Sequence, residues 1–192
     1  MIDDNCMGTP VSEAEVELLN RVRLKDWPIE NLIEHHEYCE RFYNAGKNAI
    51  PTAIQTEISS INFSKIDYKN NDSINFSLAN QLLPFGWHKG QDIGKYRRII
   101  PDFAKDGIVI EAQFRQDTNI LYNLLNIQTA FDRKKIRGGI IITFDARTHS
   151  FRSSMNASIQ YLDQCLREYE SAIHYSVPVW AIGLKEIKSK TV

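Results

Sequence analysis

Three oxygen-bearing side chains stand close together in the sequence, at Asp102, Glu111 and Gln113. Glu111 and Gln113 are two residues apart in an apolar stretch that favours a β-strand, so their side chains are expected on one face. Asp102 precedes a Lys-Asp-Gly turn signal at 105–107, and antiparallel pairing across that turn predicts that it lies beside Glu111. Converging carboxylates suit a hard divalent cation such as Mg²⁺, and therefore phosphoryl chemistry.

The setting of Glu111 is the main sequence argument for this site. The residue follows Ile108-Val109-Ile110 directly, and an acid in such a run is costly unless it is paired or bound to a metal. The alternative is that Glu111 lies on the polar outer face of an edge hairpin and is merely solvated, since short acidic patterns are frequent by chance.

The periodicity of the remaining sequence predicts the elements around these residues. Helices are predicted at 12–25, 29–45, from about 51 towards 63, and at 73–83, with Gly46 ending the second of them and a loop at 65–72. After Gly86 the pattern predicts strands at 96–103 and 107–114, a helix at 117–131, a buried strand at 138–144, a helix at 153–171 and a last strand at 178–184.

This order of elements predicts an α/β fold with a mixed β-sheet flanked by helices. An antiparallel hairpin would lead into a parallel half of the sheet. The length predicts a single domain over residues 1–192, with a mostly helical part at 1–85 and an α/β core that carries the site at 86–192.

Composition and charge limit the possible classes of protein. A net charge of −1 carries no general signature of a polyanion-binding protein, although a local basic patch can lie on a neutral surface. Cys6, Cys39 and Cys165 are widely spaced and form no CxxC pair, which is typical of reduced cytosolic thiols. The sequence has no membrane-spanning apolar run and no signal peptide, so we expect a cytoplasmic protein.

Two basic clusters flank the acidic residues. One precedes them and the other follows the next predicted helix; their candidate phosphate-binding residues are Lys95, Arg97, Arg98, Arg133 and Lys134. Such residues supply the sequence-independent part of DNA affinity. A solvated charged face is the alternative for each cluster.

The polar segment 147–156 contains residue types that read base edges. Arginine and asparagine can bind guanine and adenine through paired hydrogen bonds, and the candidates here are Arg152, Ser153, Ser154 and Asn156. An ordinary loop with a serine helix cap is the alternative. Elsewhere His35, His36 and Cys39 invite a metal interpretation, but adjacent histidines on a helix diverge by about 100°, which favours a surface pair and a packed thiol.

The acidic pattern resembles a known nuclease signature. Pro101-Asp102 followed by Glu111-Ala112-Gln113 is similar to the PD-(D/E)xK motif, with glutamine in the lysine position. With its flanking residues, this glutamine variant resembles the BglII and BstYI group of restriction endonucleases, over about residues 86 to 184. The resemblance implies the restriction-endonuclease-like sheet.

The resemblance also implies roles for individual residues. Asp102 and Glu111 would ligate Mg²⁺ together with the backbone carbonyl of Ala112, and Gln113 would help to position the attacking water. Because glutamine is neutral and cannot act as a general base, the metal or a substrate phosphate would have to activate that water. Glu57 is the candidate for a fourth carboxylate, with a solvent-facing helical glutamate as the alternative.

The implied activity is Mg²⁺-dependent cleavage of double-stranded DNA at a short palindromic site, related to a central GATC. A homodimer would match the two-fold symmetry of such a site. Two other classes remain open: a strand-nicking subunit or repair nuclease, and a non-catalytic DNA-binding module on the same fold.

Overall fold

The computed structural model describes residues 33–66, 71–94, 99–114, 117–146, 157–168 and 174–188. Within these ranges the strands are β1 (Ile33–Tyr43), β2 (His88–Lys89), β3 (Phe103–Lys105), β4 (Ile108–Ala112), β5 (Gly138–Phe144) and β6 (Val179–Lys188). The helices are α1 (Gly46–Ala49), α2 (Thr52–Ser59), α3 (Asn71–Leu82), α4 (Asp117–Asp132) and α5 (Ile159–Glu168), with 3₁₀ turns at Phe63–Lys65 and Leu83–Phe85.

The strands form one mixed sheet in the order β1-β6-β5-β4-β3-β2. The central strands β4, β5 and β6 run parallel, and β1 and the β2–β3 pair add antiparallel strands at the two sides. This is the predicted arrangement of a hairpin leading into a parallel half, so the predicted α/β class is confirmed.

Helices cover both faces of the sheet. Alternate residues of β4 point to opposite faces: Ile108 and Ile110 join a core with residues of α2 and α3, whereas Val109 joins a second core with residues of α4 and α5. The molecule therefore has three layers, with the sheet in the middle. None of the helices in the described ranges is long and apolar enough to cross a membrane.

The predicted helix at 29–45 is wrong, because residues 33–43 form β1 and pair with β6. Tyr38 and Phe42 pack against one core, and Cys39 and Tyr43 against the other. A spacing of four residues keeps two side chains on one face of a helix and also on one face of a strand. The spacing of Tyr38 and Phe42, and that of Cys39 and Tyr43, therefore fits a helix and a strand equally well. Hydrogen bonding with β6 makes this segment a strand.

Gly46 does not end a helix as predicted; it is the first residue of α1. Its backbone packs so tightly on β6 that a Cβ atom there would lie 2.4 Å from the carbonyl oxygen of Val179.

Gly46→Ala is therefore expected to destabilise the protein by about 1–3 kcal/mol, the usual cost of overpacking. Chemical denaturation measures this, and Asn48→Ala at an exposed position of α1 is the control. Equal stability of the two variants would contradict the close approach.

The predicted hairpin forms with one changed boundary. Its first strand begins only at Phe103, which leaves Asp102 immediately before the strand. Asp106 and Gly107 in the turn both have positive φ, 49° and 75°, as a two-residue type I′ turn requires. The predicted helix at 12–25 lies outside the described residues.

Candidate active site

The turn at Asp106 and Gly107 sets the register of the candidate site. Lys105 pairs with Ile108, and Phe103 pairs with Ile110. Continuing this register by one residue places Asp102 opposite Glu111. The juxtaposition predicted from the sequence is therefore present, at the carboxyl end of β4.

Two hydrogen bonds fix the carboxylate of Asp102. The backbone N–H of Ala112 donates to its Oδ2 at 2.8 Å, and Nδ2 of Asn75 donates to its Oδ1 at 2.8 Å. The carbonyl oxygen of Asp102 accepts from the N–H of Gly90 at 3.2 Å. Contacts from α3, β4 and the end of β2 therefore hold this residue in one orientation.

Glu111 is 7% exposed and lies on the face of β4 that α4 and α5 cover. Burial, followed by the nearby charge of Asp102, raises the pKa of Glu111 to about 9. Burial also raises the pKa of Asp102, against the opposing effects of the Ala112 N–H, the Asn75 amide and the charge of Lys89. Two adjacent buried carboxylates of this kind repel each other, and a bound cation would relieve the repulsion.

Gln113 follows directly after β4 and is 6% exposed. Its backbone N–H donates to the carbonyl oxygen of Ile142 at 2.9 Å, which extends the parallel pairing of β4 and β5 past Ala112. Because Gln113 is two residues from Glu111, strand alternation directs both side chains to the same face. The burial of Gln113 and its spacing from Glu111 agree with the predicted site, and its role there stays a prediction.

Asn75 is a site residue that the sequence reasoning missed. It lies in the interior of α3, and its contact with Asp102 spans 27 residues. Its Oδ1 is buried and, in the part of the chain that the structure describes, has no hydrogen-bond partner. The only signal in the sequence is a polar residue of low helix propensity within a helix, which is too common to single it out.

The structure does not bring Glu57 to Asp102 and Glu111. Its Oε1 pairs with Nζ of Lys105 at 2.5 Å, and its Oε2 accepts from the indole N–H of Trp87 at 3.0 Å. Lys105 stands at the turn end of β3, three residues from Asp102, which is roughly 10 Å along the strand. These contacts favour an ion-pair role for Glu57, and its predicted catalytic role stays a prediction.

The predicted DNA contacts fall into two groups. Arg133 and Lys134 are exposed at the end of α4, a 16-residue helix, about 24 Å along the helix from its start near the site. The structure therefore does not bring them together with Asp102. The other predicted contacts lie outside the described residues: Lys95, Arg97, Arg98, Arg152, Ser153, Ser154 and Asn156.

Comparisons with known proteins show the family and the fold of this chain. The family model described as "Restriction endonuclease BglII/BglIII" matches residues 32–184. No curated protein matches the chain. Among solved structures, the chain is similar to BglII restriction endonuclease complexed with a DNA 16-mer, with 18% identity, a TM-score of 0.64, and 79% of this chain and 78% of that one covered.

A second solved structure, of free BglII, is similar with 19% identity and a TM-score of 0.55, covering 81% of this chain and 82% of that one. At these identities the two structures show the fold, whereas the family match spans most of the chain and includes Asp102, Glu111 and Gln113. The chain belongs to the BglII/BglIII family of restriction endonucleases, and is thus a type II site-specific deoxyribonuclease.

Proposed function

We propose that the chain hydrolyses phosphodiester bonds in both strands of a short palindromic DNA site, with Mg²⁺ held by Asp102 and Glu111. The observation that carries the proposal is the register of the β3–β4 hairpin, which pairs Phe103 with Ile110 and so sets the two carboxylates side by side. The raised pKa of Glu111 supports it, because like charges are kept together in buried sites mainly where they serve chemistry.

The donor set fits Mg²⁺. In the described ranges no three histidine, cysteine, aspartate or glutamate residues are grouped to hold a metal, so the site offers two carboxylates and neutral oxygens. Mg²⁺ is commonly bound through one or two carboxylates plus water and substrate phosphate. The unpartnered Oδ1 of Asn75 is an additional buried oxygen beside Asp102.

The residues of the site have separable tasks. The Ala112 N–H and Asn75 hold Asp102 in place, and the Ala112 carbonyl is the further ligand that the family resemblance implies. A bound Mg²⁺ would polarise the phosphate and acidify a water molecule. Gln113 orients the attacking water by hydrogen bonding; its neutral amide cannot take the proton.

Digestion of a mapped circular plasmid tests this function. With Mg²⁺ the purified chain is expected to give discrete, reproducible linear fragments, and with EDTA it should leave the plasmid intact. Sequencing of the fragment ends identifies the cleaved site and checks the proposal of a GATC-centred palindrome. Folded protein that leaves the plasmid intact under both conditions would contradict the proposal, and nicking without linear products would contradict cleavage of both strands.

The homodimer is proposed because two active sites related by a two-fold axis match the symmetry of two strand cuts in a palindromic site most simply. The outer face of α4 supports this. Between its terminal residues Asp117 and Asp132, this helix has no charged residue, although exposed helix faces are usually charged. Tyr122 is 44% exposed on that face, and a second copy of the chain would cover it.

Tyr122→Arg is therefore expected to convert a dimer into a monomer, because it would bury two unpaired cations at the interface. Sedimentation equilibrium measures the mass. Phe76→Arg is the matched control, since Phe76 is 64% exposed on α3, on the opposite side of the sheet. A dimer that persists in the Tyr122 variant would show that α4 is not the interface.

Glu57→Gln separates an ion-pair role from a catalytic one. It leaves the half-buried ammonium of Lys105 without its charged partner, so unfolding free energy should fall by about 1–2 kcal/mol. The rate of DNA cleavage should stay within about tenfold of the wild-type rate. That limit corresponds to a change of about 1.4 kcal/mol in the activation free energy. Denaturation and plasmid cleavage measure the two effects, with exposed Glu40→Gln as control. Complete loss of cleavage at unchanged stability would favour the catalytic role.

A further inference from the structure

The candidate site needs a positive charge besides the divalent cation. The carboxylates of Asp102 and Glu111 together match the charge of one such cation, which leaves nothing to balance the phosphate of the DNA. Asn75 and Gln113 are neutral amides. Negative charge that develops on a transferring phosphoryl group is commonly stabilised by lysine or arginine as well as by a metal. A basic side chain is therefore expected close to the two carboxylates.

Strand β2 places Lys89 next to Asp102. Lys89 pairs with Phe103 across the antiparallel β2–β3 pair, and the N–H of the following residue, Gly90, donates to the carbonyl oxygen of Asp102 at 3.2 Å. With strands about 4.8 Å apart and about 3.4 Å between residues, the backbone of Lys89 lies roughly 6 Å from that of Asp102. Gly90, which lies opposite Asp102 in this register, has no side chain, so Lys89 carries the side chain of β2 that is nearest to Asp102.

The side chain of Lys89 projects to the face of the sheet that α3 covers. Residues directly opposite each other in an antiparallel pair point to the same face, and Phe103 joins the core that α2 and α3 build. Trp87, two residues before Lys89, joins the same core, as alternation along an extended chain requires. Asn75 of α3 donates to the carboxylate of Asp102, so Lys89 and Asn75 lie on the same side of the sheet beside that carboxylate.

The charge of Lys89 acts on Asp102. Burial raises the pKa of Asp102, and the positive charge of Lys89 opposes this rise, together with the two hydrogen bonds to the carboxylate. Lys89 is exposed, and in the described part of the chain no carboxylate forms an ion pair with it. Lys105, on the neighbouring strand, is in contrast held by Glu57. The ammonium group of Lys89 is therefore placed to bind an anion beside Asp102.

We propose that the ammonium group of Lys89 binds the phosphate that is cleaved and stabilises the negative charge that develops on it, which makes Lys89 a catalytic residue. The proposal rests on the proposed function. The oxygen of a water molecule forms the new bond to phosphorus, while the bond to the leaving sugar oxygen breaks and that oxygen keeps the electron pair. The water gives up one proton and the leaving oxygen takes one up. Lys89 stays protonated throughout and contributes charge only.

Lys89→Gln tests the proposal, with Lys47→Gln as the matched control. Lys47 is an exposed lysine of α1, and α1 packs on Val179 at the first residue of β6. The control therefore lies at the opposite end of the parallel strands from the carboxylates.

Single-turnover cleavage of a linear duplex that contains the cut site, with the enzyme in excess and Mg²⁺ present, gives the first readout. We expect the rate to fall about a hundred- to thousandfold for Lys89→Gln, the usual effect of removing one group that stabilises developing charge, and to stay unchanged for Lys47→Gln. Lys89→Arg keeps the charge and should retain the wild-type rate within about tenfold. Because both lysines are exposed, the three variants should melt within about 2 °C of wild type. A wild-type rate in Lys89→Gln would overturn the proposal.

DNA binding in EDTA gives a second readout that needs no metal. Fluorescence anisotropy measures the affinity of each protein for the same duplex at several salt concentrations. Loss of one phosphate contact should reduce the slope of log affinity against log salt by about 0.9 for Lys89→Gln, and Lys47→Gln should keep the wild-type slope. An unchanged slope in Lys89→Gln would overturn the proposal, because Lys89 would then contact no phosphate.

Duplexes with one uncharged methyl phosphonate distinguish the cleaved phosphate from its neighbours. The methyl phosphonate replaces each phosphate that flanks the cut, one at a time. If Lys89 binds the cleaved phosphate, Lys89→Gln slows the cleavage of these duplexes by the same factor as it slows cleavage of the unmodified duplex. A factor that disappears on one of them would overturn the proposal, since Lys89 would then bind that neighbouring phosphate.

The two proposals fail in different ways. A wild-type chain that cuts the plasmid at discrete sites, while Lys89→Gln cuts at the wild-type rate, overturns the role of Lys89 alone. A folded wild-type chain that leaves the plasmid intact with Mg²⁺ overturns the proposed function and the role of Lys89 together.

Discussion

Asp102→Asn is expected to lower the rate of DNA cleavage at least about a thousandfold while leaving the fold intact. The variant removes one of two charges that would hold the cation, and loss of several kcal/mol of transition-state stabilisation corresponds to this factor. The asparagine oxygen can still accept from the Ala112 N–H that now donates to Asp102. The amide of Asn75 can rotate, so that its oxygen accepts from the new amide.

Single-turnover cleavage of a linear duplex that contains the identified site measures this effect. Thermal unfolding in EDTA is the control for folding, since the metal-free variant should melt at or above the wild-type temperature once a buried charge is removed. A variant that keeps more than about a tenth of the wild-type rate would mean that Asp102 does not hold a metal that the reaction needs.

Glu111→Gln is expected to stabilise the metal-free protein and to abolish cleavage. The pKa of Glu111 is raised to about 9 in the folded protein, whereas the unfolded chain releases this proton near its ordinary value. The native state therefore holds more protons between these two values, and its stability falls as the pH rises through that window. Glutamine fills the same space without a titrating charge, so the variant should lose this slope.

At pH 8 the free energy of unfolding of Glu111→Gln should exceed that of wild type by about 2 kcal/mol or more, since each unit of pKa shift corresponds to about 1.4 kcal/mol. For a chain of this length that is a rise in Tm of about 5 °C. Thermal unfolding in EDTA from pH 5 to 9 measures it, with Glu40→Gln at an exposed position of β1 as the matched control. A Glu111 variant that is less stable than wild type at pH 8 would contradict the burial of an uncompensated carboxylate.

Binding of Mg²⁺ should offset the stability advantage that Glu111→Gln has over wild type in the metal-free protein. A cation binds the deprotonated carboxylate, so its binding releases the proton of Glu111. The apparent affinity for Mg²⁺ should therefore rise up to about tenfold per pH unit below pH 9, and Mg²⁺ should stabilise the wild type more than Glu111→Gln.

The central pair of the site was predictable because its cause is local. The Asp106-Gly107 turn fixes a hairpin whose two strands are adjacent in sequence, and that register alone brings Asp102 to Glu111. The apolar run at 138–144 was likewise predictable as a strand buried on both faces. In both segments the local sequence, through its hydrophobic pattern or its turn residues, favours the structure that the whole fold adopts.

The features that the sequence did not predict correctly depend on contacts between residues far apart in the chain. Strand β1 forms because Tyr38 pairs with Leu184 and Phe42 with Trp180 at the other end of the chain, while its own spacing fits a helix as well. Asn75 enters the site through a contact across 27 residues. Glu57 is held by Lys105, 48 residues away. Sequence periodicity carries no information on such pairings.

The most direct measurement is a parallel digest of one mapped plasmid with Mg²⁺ by four proteins: wild type, Asp102→Asn, Glu111→Gln and Glu57→Gln. We predict identical discrete fragments for wild type and Glu57→Gln, and intact plasmid for Asp102→Asn and Glu111→Gln. Fragments of the wild-type pattern from folded Asp102→Asn or Glu111→Gln would contradict the assignment of these two carboxylates as the metal site that cleaves DNA.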